Sequence, residues 1–458
     1  MTTPFVAHPR SRGEDCGVVA VRHRNGRASE VAHRALFELQ HRGQEAAGLL
    51  VGDGAGAQRT LKGRGLVSES LPADEVSALT GPLALGHVRY STVAASGPSS
   101  IQPLTITTRW GELGLAHNGN LPTANALRSE LSAAGAAFQT ALDTEVLMHL
   151  LARHTAPAFA DALADVARTL PGAYSLVMML NDAVYGFRDR FGLRPLCVGE
   201  RRDGWVIASE TCALEAVDAR LVREVEPGEL VELTAAGPRF TRLLEKNRPA
   251  PCAFELVYFA RPNSTVFGRG VYSARQKMGE LLAQNDVEPT DVVVPVPDSG
   301  VPAAIGYARA RGVPLEKALL RSHYIGRTFI LPGDDARAAR VKMKLSVVRE
   351  AVEGKHVTLV DDSLVRGHTA RSIVALVKNA GAKSVSLRVA SPPIAWSCHL
   401  GIDTPTREEL IINKLKDPAA IADAVGARSV AYLTLAQLQE AVGGEDYCFG
   451  CMTGSYPT

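Results

Sequence analysis

The stretch Val357–Arg371, VTLVDDSLVRGHTAR, decides the architecture of the C-terminal half. VTLV reads as a buried strand that runs into two adjacent acids, a small polar turn and the start of a helix. That order places Asp361 and Asp362 at the carboxyl end of a strand, where open α/β sheets bind ligands. It also lets the backbone N–H groups of Ser363 to Thr369 curl ahead of the helix that follows. The carboxylates suit ribose hydroxyls or Mg²⁺, and the loop suits a phosphate. On local pattern alone, a plain solvated turn accounts for these residues equally well.

Outward from this stretch the same unit recurs. DVVVPV (Asp291–Val296) leads through PDSG into VPAAIGYARARG, just as KHVTLV leads through the acidic loop into ARSIVALVKNAG, and the two helices are expected to end at Gly312 and Gly381. Strand-then-helix alternation predicts a mostly parallel sheet with helices on both faces. Upstream the pattern changes. From Cys16 to about Phe240, short strands and turns dominate, with one helix over Ser29–His41 (Ala32, Ala35, Leu36 and Leu39 on one face) and another after Asp143. Ser175–Phe187 reads as a hairpin turning at Asn181-Asp182. The proline-containing EKNRPAPC (245–252) reads as a linker, and 458 residues are too many for one ordinary core.

Charge narrows the classes. Lys plus Arg (50) exceeds Asp plus Glu (48) by two and no long basic run occurs, so nothing points to a nucleic-acid partner. No apolar run reaches membrane-span length, which predicts a cytoplasmic protein without a membrane partner.

The VDDSLVRG segment resembles the phosphoribosyl pyrophosphate (PRPP) signature of type I phosphoribosyltransferases, and its SLVRG core looks like the version in glutamine-dependent amidophosphoribosyltransferases. A second signature lies at the N-terminus. EDCGVVAV (Glu14–Val21) resembles the start of class II amidotransferases, in which a cysteine becomes the N-terminal nucleophile once a propeptide is removed. A thiol attacking a carboxamide needs a base, and an α-amine with pKa of roughly 7.7 to 8.0 can serve. Activity of Cys16 is therefore expected to depend on cleavage after Asp15, with residues 1–15 as propeptide; they carry no apolar core of a secretory signal.

Three further segments follow in family order. LALGHVRYST (83–92) resembles the glutamine site, with Arg89 for the substrate α-carboxylate, where a planar fork meets a planar anion. LAHNGNL (115–121) resembles the oxyanion segment, implying that the Asn118 amide and the Gly119 N–H stabilise charge developing on the amide oxygen. LDTE (142–145) implies that Asp143 holds the α-amino group. Read singly, Arg89 is a surface ion pair, Asn118-Gly119 a hairpin turn and Asp143 a helix N-cap. Their joint occurrence behind Cys16 is what argues against those readings.

In the C-terminal half the resemblance implies a PRPP site built from Asp298, Ser299 and Gly300 of PVPDSG, from Asp361, Asp362, Ser363, Arg366, Gly367, His368 and Thr369, and from Arg327 and Lys344 of a closing loop. Ser299, Asp361 and Asp362 would hold Mg²⁺. Closure over PRPP makes physical sense, because ammonia must reach the sugar carbon before water does. PDSG alone is an ordinary turn, and Arg327, Lys342 and Lys344 could be a solvated loop edge.

CFGC (448–451) is a two-ligand clip that by itself fits zinc, a redox pair or no function at all. Its context resembles the iron-sulfur branch of the family, with Cys252 and Cys398 at the other two ligand positions of a 4Fe-4S cluster; tetrahedral zinc is the runner-up. Its expected role is structural, away from the motifs of either reaction. Cys197 and Cys212 are expected to pack as buried apolar side chains.

The expected fold is therefore a four-layer αββα N-terminal-nucleophile hydrolase domain (16–245), a type I phosphoribosyltransferase domain (246–425) and a C-terminal segment with cluster ligands (426–458). The resemblance implies conversion of PRPP, glutamine and water to phosphoribosylamine, glutamate and pyrophosphate, the entry step of purine synthesis, by a homo-oligomer, most often a tetramer, under feedback from purine nucleotides. Departures occur at His368 in the phosphate loop, at Ser322 and His323, at Asn263, and in STVAASG after Arg89. They leave open a paralogue that aminates a different phosphosugar. A PRPP-sensing regulator would need a DNA-reading element where the amidotransferase motifs stand, and a hexosamine-forming enzyme would lack VDDSLVRG.

Overall fold

The computed structural model describes residues 16–90, 98–322 and 345–457. The N-terminal half is built on two antiparallel sheets. The first runs Arg220–Glu224, Cys197–Arg201, Gly204–Ala208, Cys16–His23, Leu83–Arg89, Ala46–Gly52, Gln58–Arg64. The second runs Gly237–Arg242, Glu229–Thr234, Ala183–Arg188, Ala173–Leu180, Gly111–Asn120, Leu104–Thr108.

Period-2 alternation sorts the side chains of the central strands into layers. On Cys16–His23, Val18 and Ala20 join Leu50, Leu85, Ala116 and Val177 in the core between the sheets, while Val19 and Val21 face outward against Ala32, Ala35 and Leu36. Those three residues lie on the helix Ala28–Glu38, the element expected over 29–41, which is followed by a 3₁₀ turn at Gln40–Arg42. Helices Asp143–Ala152 and Phe159–Thr169 cover the far face of the second sheet. Helix, sheet, sheet and helix make the expected four layers. The hairpin turns at Asn181, φ 54°, with Leu180 paired to Ala183.

The C-terminal half holds a four-stranded parallel sheet in the order Val292–Pro295, His356–Asp361, Ser384–Val389, Val430–Tyr432. Helices Val271–Ala283 and Val301–Arg311 pack on one face, and His368–Asn379 and Pro418–Val425 on the other. The segment after residue 425 supplies the fourth strand and the helix Leu435–Val442, so it is woven into this half. Among the described residues no helix is long and apolar enough to cross a membrane.

Candidate functional site

Cys16 opens its strand and pairs in register with Arg89, the last residue of Leu83–Arg89. By alternation Cys16, His87 and Arg89 share the face of Val18 and Leu85, which looks onto the second sheet. Arg89 is 8 % exposed and donates from Nη1 to the Ser100 carbonyl at 3.0 Å. The His87 ring is fully buried near His117 of the facing sheet; burial, then Arg89, His117 and Lys62, bring its pKa down to about 3, so it stays neutral.

Asn118 and Gly119 lie inside the strand Gly111–Asn120, opposite Ser175 and Tyr174, and make no hairpin turn. The Asn118 carboxamide is fully buried, and among the described residues neither its oxygen nor its nitrogen has a hydrogen-bond partner. An unsatisfied buried amide costs about 1–3 kcal/mol, which marks a group facing a ligand. Gly119 has φ 148°, and a Cβ there would stand 1.8 Å from the Ala173 carbonyl oxygen, so no other residue fits.

Asp143 is the first residue of its helix and does not cap it; Oδ2 accepts from the Leu121 N–H at 2.9 Å and Oδ1 lies 3.6 Å from His117 Nδ1. Burial alone would raise its pKa, but His117 and the Leu121 and Thr144 N–H groups outweigh it and hold the carboxyl below its usual range. Arg89, Asn118 and Asp143 are thus all set inward, and none takes its single-motif alternative.

In the C-terminal half, Asp361 ends its strand and Asp362 follows, 5 % exposed. Ser363 Oγ donates to Asp362 Oδ1 at 2.6 Å, and Ser299 also hydrogen-bonds this carboxylate. A Cβ at Gly300 would meet the Val360 carbonyl oxygen at 2.6 Å, so the PDSG turn sits directly against the acidic strand end. Burial and the neighbouring acid push Asp361 well up; burial raises Asp362, against Ser299, Ser363 and Arg275. Gly367 adopts the left-handed conformation as N-cap of His368–Asn379, leaving His368 and Thr369 exposed on the first turn. Arg366 and Asp298 turn to other partners, Glu409 at 3.1 Å and Arg321 at 3.0 Å. Arg327, Lys342, Lys344, segment 91–97 and residues 1–15, expected as a propeptide, lie outside the described residues.

The four cysteines expected as cluster ligands converge. Cys252 bridges Cys448 in parallel β fashion, the Cys451 carbonyl accepts from Ala395 and Trp396 N–H at 2.9 and 3.0 Å, and every pair of the four thiols is within electrostatic reach. None is in a disulfide, and burial first, then the other thiols among the causes, raises Cys252, Cys448 (to about 12) and Cys451. The expectation that these cysteines stand apart from both reaction motifs is incorrect. The residues after Cys398 run onto the oxyanion strand: Asn120 Nδ2 donates to the His399 carbonyl at 2.8 Å.

A buried charge network joins the halves. Arg42 spans Glu210 and Glu255, with Nη2–Oε2 of Glu255 at 2.6 Å, and Arg194 reaches Glu255 at 3.2 Å; all four are at most 1 % exposed. Glu255 lies on the π-turn Glu255–Phe259, whose Leu256 carbonyl, with that of the following Ala260, is held by Arg275 at 2.9 and 2.8 Å.

A family model described as a glutamine amidotransferase domain matches residues 87–216. The chain is similar to amidophosphoribosyltransferase 1 of Arabidopsis thaliana, 45 % identical over 99 % of this chain and 81 % of that one, and to the amidophosphoribosyltransferase of Bacillus subtilis, 41 % identical over 99 % and 96 %. The chain belongs to the amidophosphoribosyltransferase family. Its fold matches the solved glutamine PRPP amidotransferase from B. subtilis complexed with ADP and GMP, with TM-score 0.91 and 42 % identity over 97 % of each chain.

As a member of this family the chain is an enzyme, a transferase. Sequence reasoning passed over Asn120, which shares a strand face with Asn118 and was legible by that spacing. Arg42, Glu210 and Glu255 left no signal, because their partners lie some 170 to 210 positions apart in sequence.

Proposed function

We infer that the enzyme transfers the amide nitrogen of glutamine to PRPP, giving 5-phosphoribosylamine, glutamate and pyrophosphate. The observation that carries this is the pairing within one chain of Cys16 in register with Arg89, before the buried, unpartnered Asn118 amide, with an acidic strand end and phosphate-type loop in the parallel sheet.

Arg89 and Asp143 bind the glutamine α-carboxylate and α-amino groups. Cys16 Sγ attacks the carboxamide carbon, Asn118 Nδ2 and the Gly119 N–H take up the oxyanion, and collapse of the adduct breaks the C–N bond to release ammonia and leave a thioester. Water then frees glutamate. Removal of residues 1–15 supplies the α-amine as base. Ammonia displaces pyrophosphate from the sugar carbon of PRPP, held by Asp361, Asp362, Ser363, Gly367 and Thr369, with Ser299 and Gly300 at the pyrophosphate. Arg327 and Lys344, the residues expected to close over PRPP, lie outside the described residues, and Arg366, His368 and Asp298 would contact it at the rim.

Mg²⁺ would be held by Asp361, Asp362 and Ser299, and would supply charge neutralisation for pyrophosphate. Two carboxylates and a hydroxyl fit a cation that takes its remaining ligands from substrate and water. Cys252, Cys398, Cys448 and Cys451 fit a 4Fe-4S cluster. None of the four is in a disulfide, Cys252, Cys448 and Cys451 are buried and Cys398 partly so, and four thiolates are the ligand set such a cluster takes. Assembly as a tetramer in the cytoplasm under purine-nucleotide control completes the reading.

The test is pyrophosphate release from PRPP by anaerobically purified protein. Release that requires both glutamine and Mg²⁺ is the expected result. Glutamine hydrolysis without pyrophosphate would shift the acceptor to another phosphosugar, and zinc without iron or acid-labile sulfide would overturn the cluster.

A further inference from the structure

The segment Cys398–Gly401 touches the four-cysteine site at one end and the oxyanion strand at the other. Its first residue supplies one of the converging thiols, and that sulfur accepts the Leu400 N–H at 3.3 Å. The Leu400 carbonyl accepts from Arg194 Nη2 at 3.1 Å, and the His399 carbonyl accepts from Asn120 Nδ2 at 2.8 Å. Gly401, at φ 109°, lies so close that a Cβ would stand 2.7 Å from Arg194 Nη2 and 3.1 Å from the Gly119 carbonyl carbon.

Arg194 closes the circuit from behind. Its backbone carbonyl accepts from Ser175 Oγ at 3.0 Å, and Ser175 is the register partner of Asn118. Cys398 and Cys448 share one apolar cluster with Leu400 and Ala173, the residue whose carbonyl fixes Gly119 from the neighbouring strand. The oxyanion donors are therefore held by Ala173 on the strand side and by Gly401 on the side of the other half.

We propose that His399–Gly401 is a positioning strap for the oxyanion donors, docked by Asn120, and that the four-cysteine site anchors it. Asn120 is a positioning residue: its amide grips the strap while Asn118 and Gly119 meet the substrate. The strap aligns donors against the amide oxygen and leaves glutamine binding by Arg89 and Asp143 alone. Loss of the cysteine site would then be felt first in amide cleavage, before amination of PRPP. The inference rests on the proposed glutaminase chemistry.

The test uses full-length Asn120→Asp, which is isosteric but lacks the donor, and Gly401→Ala, which presses the strap against Gly119. Three readouts are taken on enzyme with parental iron and sulfide content: glutamate release, pyrophosphate release with ammonium in place of glutamine, and the rate at which Cys16 is alkylated by a diazoketone analogue of glutamine relative to iodoacetamide. A small misplacement of catalytic donors costs about tenfold to a hundredfold. Both variants should lose kcat for glutamate release on that scale, keep the parental glutamine KM and ammonium-dependent rate, and lose diazoketone alkylation selectively, because only that reagent is held by its amino-acid end with its carbonyl fixed at the oxyanion donors. Parental kcat in both variants, or equal losses with glutamine and ammonium, would overturn the strap. A parent enzyme that hydrolyses glutamine but releases no pyrophosphate with either nitrogen source would instead contradict the amination of PRPP, and glutamate release and alkylation would still decide the strap.

Discussion

At Asn118 the fold leaves a primary amide buried with both polar atoms unpartnered, and tolerates that cost because the next residue can only be glycine. The pair is thus fixed by the strand ladder before any substrate arrives, which is the preorganisation that oxyanion stabilisation requires. Replacing Asn118 with alanine removes one donor without altering Arg89 or Asp143. Glutamine-dependent kcat should fall by about 10²- to 10³-fold with little change in KM, while the ammonium-dependent rate persists. Steady-state kinetics with the two nitrogen sources checks this; a proportional loss with both would show that Asn118 serves the fold and not the chemistry. Local pattern reads Asn-Gly as a hairpin because the dipeptide favours tight turns, and only its place behind Cys16 and Arg89 argued otherwise. The strand ladder wins here because Asn118 and Gly119 pair with Ser175 and Tyr174 in the sheet interior.

Among the elements, the π-turn Glu255–Phe259 ties the two sites. On one side Glu255 is gripped by Arg42, next to the Gly43 that packs on the Arg89 backbone; on the other Arg275 holds the turn and faces Asp362. Glu255→Gln would leave two buried guanidinium groups short of a counter-charge, a loss of about 3–5 kcal/mol. Urea unfolding should show a lowered midpoint; an unchanged midpoint would remove the network from the account of stability. A second pair gives a pH signature. Burial opposes ionisation of Asp286, but Arg388 and Tyr307 hydrogen bonds outweigh it and bring its pKa to about 2, from 3.8. A folded-state pKa below the unfolded one gives stability that is fully present above pH 3.8 and lost as pH falls toward 2. Arg388→Met should flatten that part of the acid-unfolding profile, and a profile identical to the parent would refute the assignment. Strands, helices and the parallel sheet were legible because periodicity records which face is buried. The Arg42–Glu255 network was not, because only the tertiary fold brings its members together. The strand in segment 426–458, Val430–Tyr432, was not read because three residues are too few for a period to show.

For the whole molecule, the two halves have different ancestry in pattern, an antiparallel sandwich and a parallel sheet, yet they meet through buried charge and through the Cys398–Gly401 strap. Such contacts suit an enzyme that must pass ammonia from one site to the other. What the sequence conveyed at this scale was the pair of chemistries; their physical junction was hidden, since Asn120 and His399 lie 279 positions apart. The most direct test of coupling is the fate of the amide nitrogen. With amide-¹⁵N-glutamine, PRPP, Mg²⁺ and unlabelled ammonium near neutral pH, at a concentration too low to release pyrophosphate without glutamine, the account predicts ¹⁵N in phosphoribosylamine and one glutamate per pyrophosphate. Product carrying only unlabelled nitrogen, with glutamate formed independently of pyrophosphate, would contradict it.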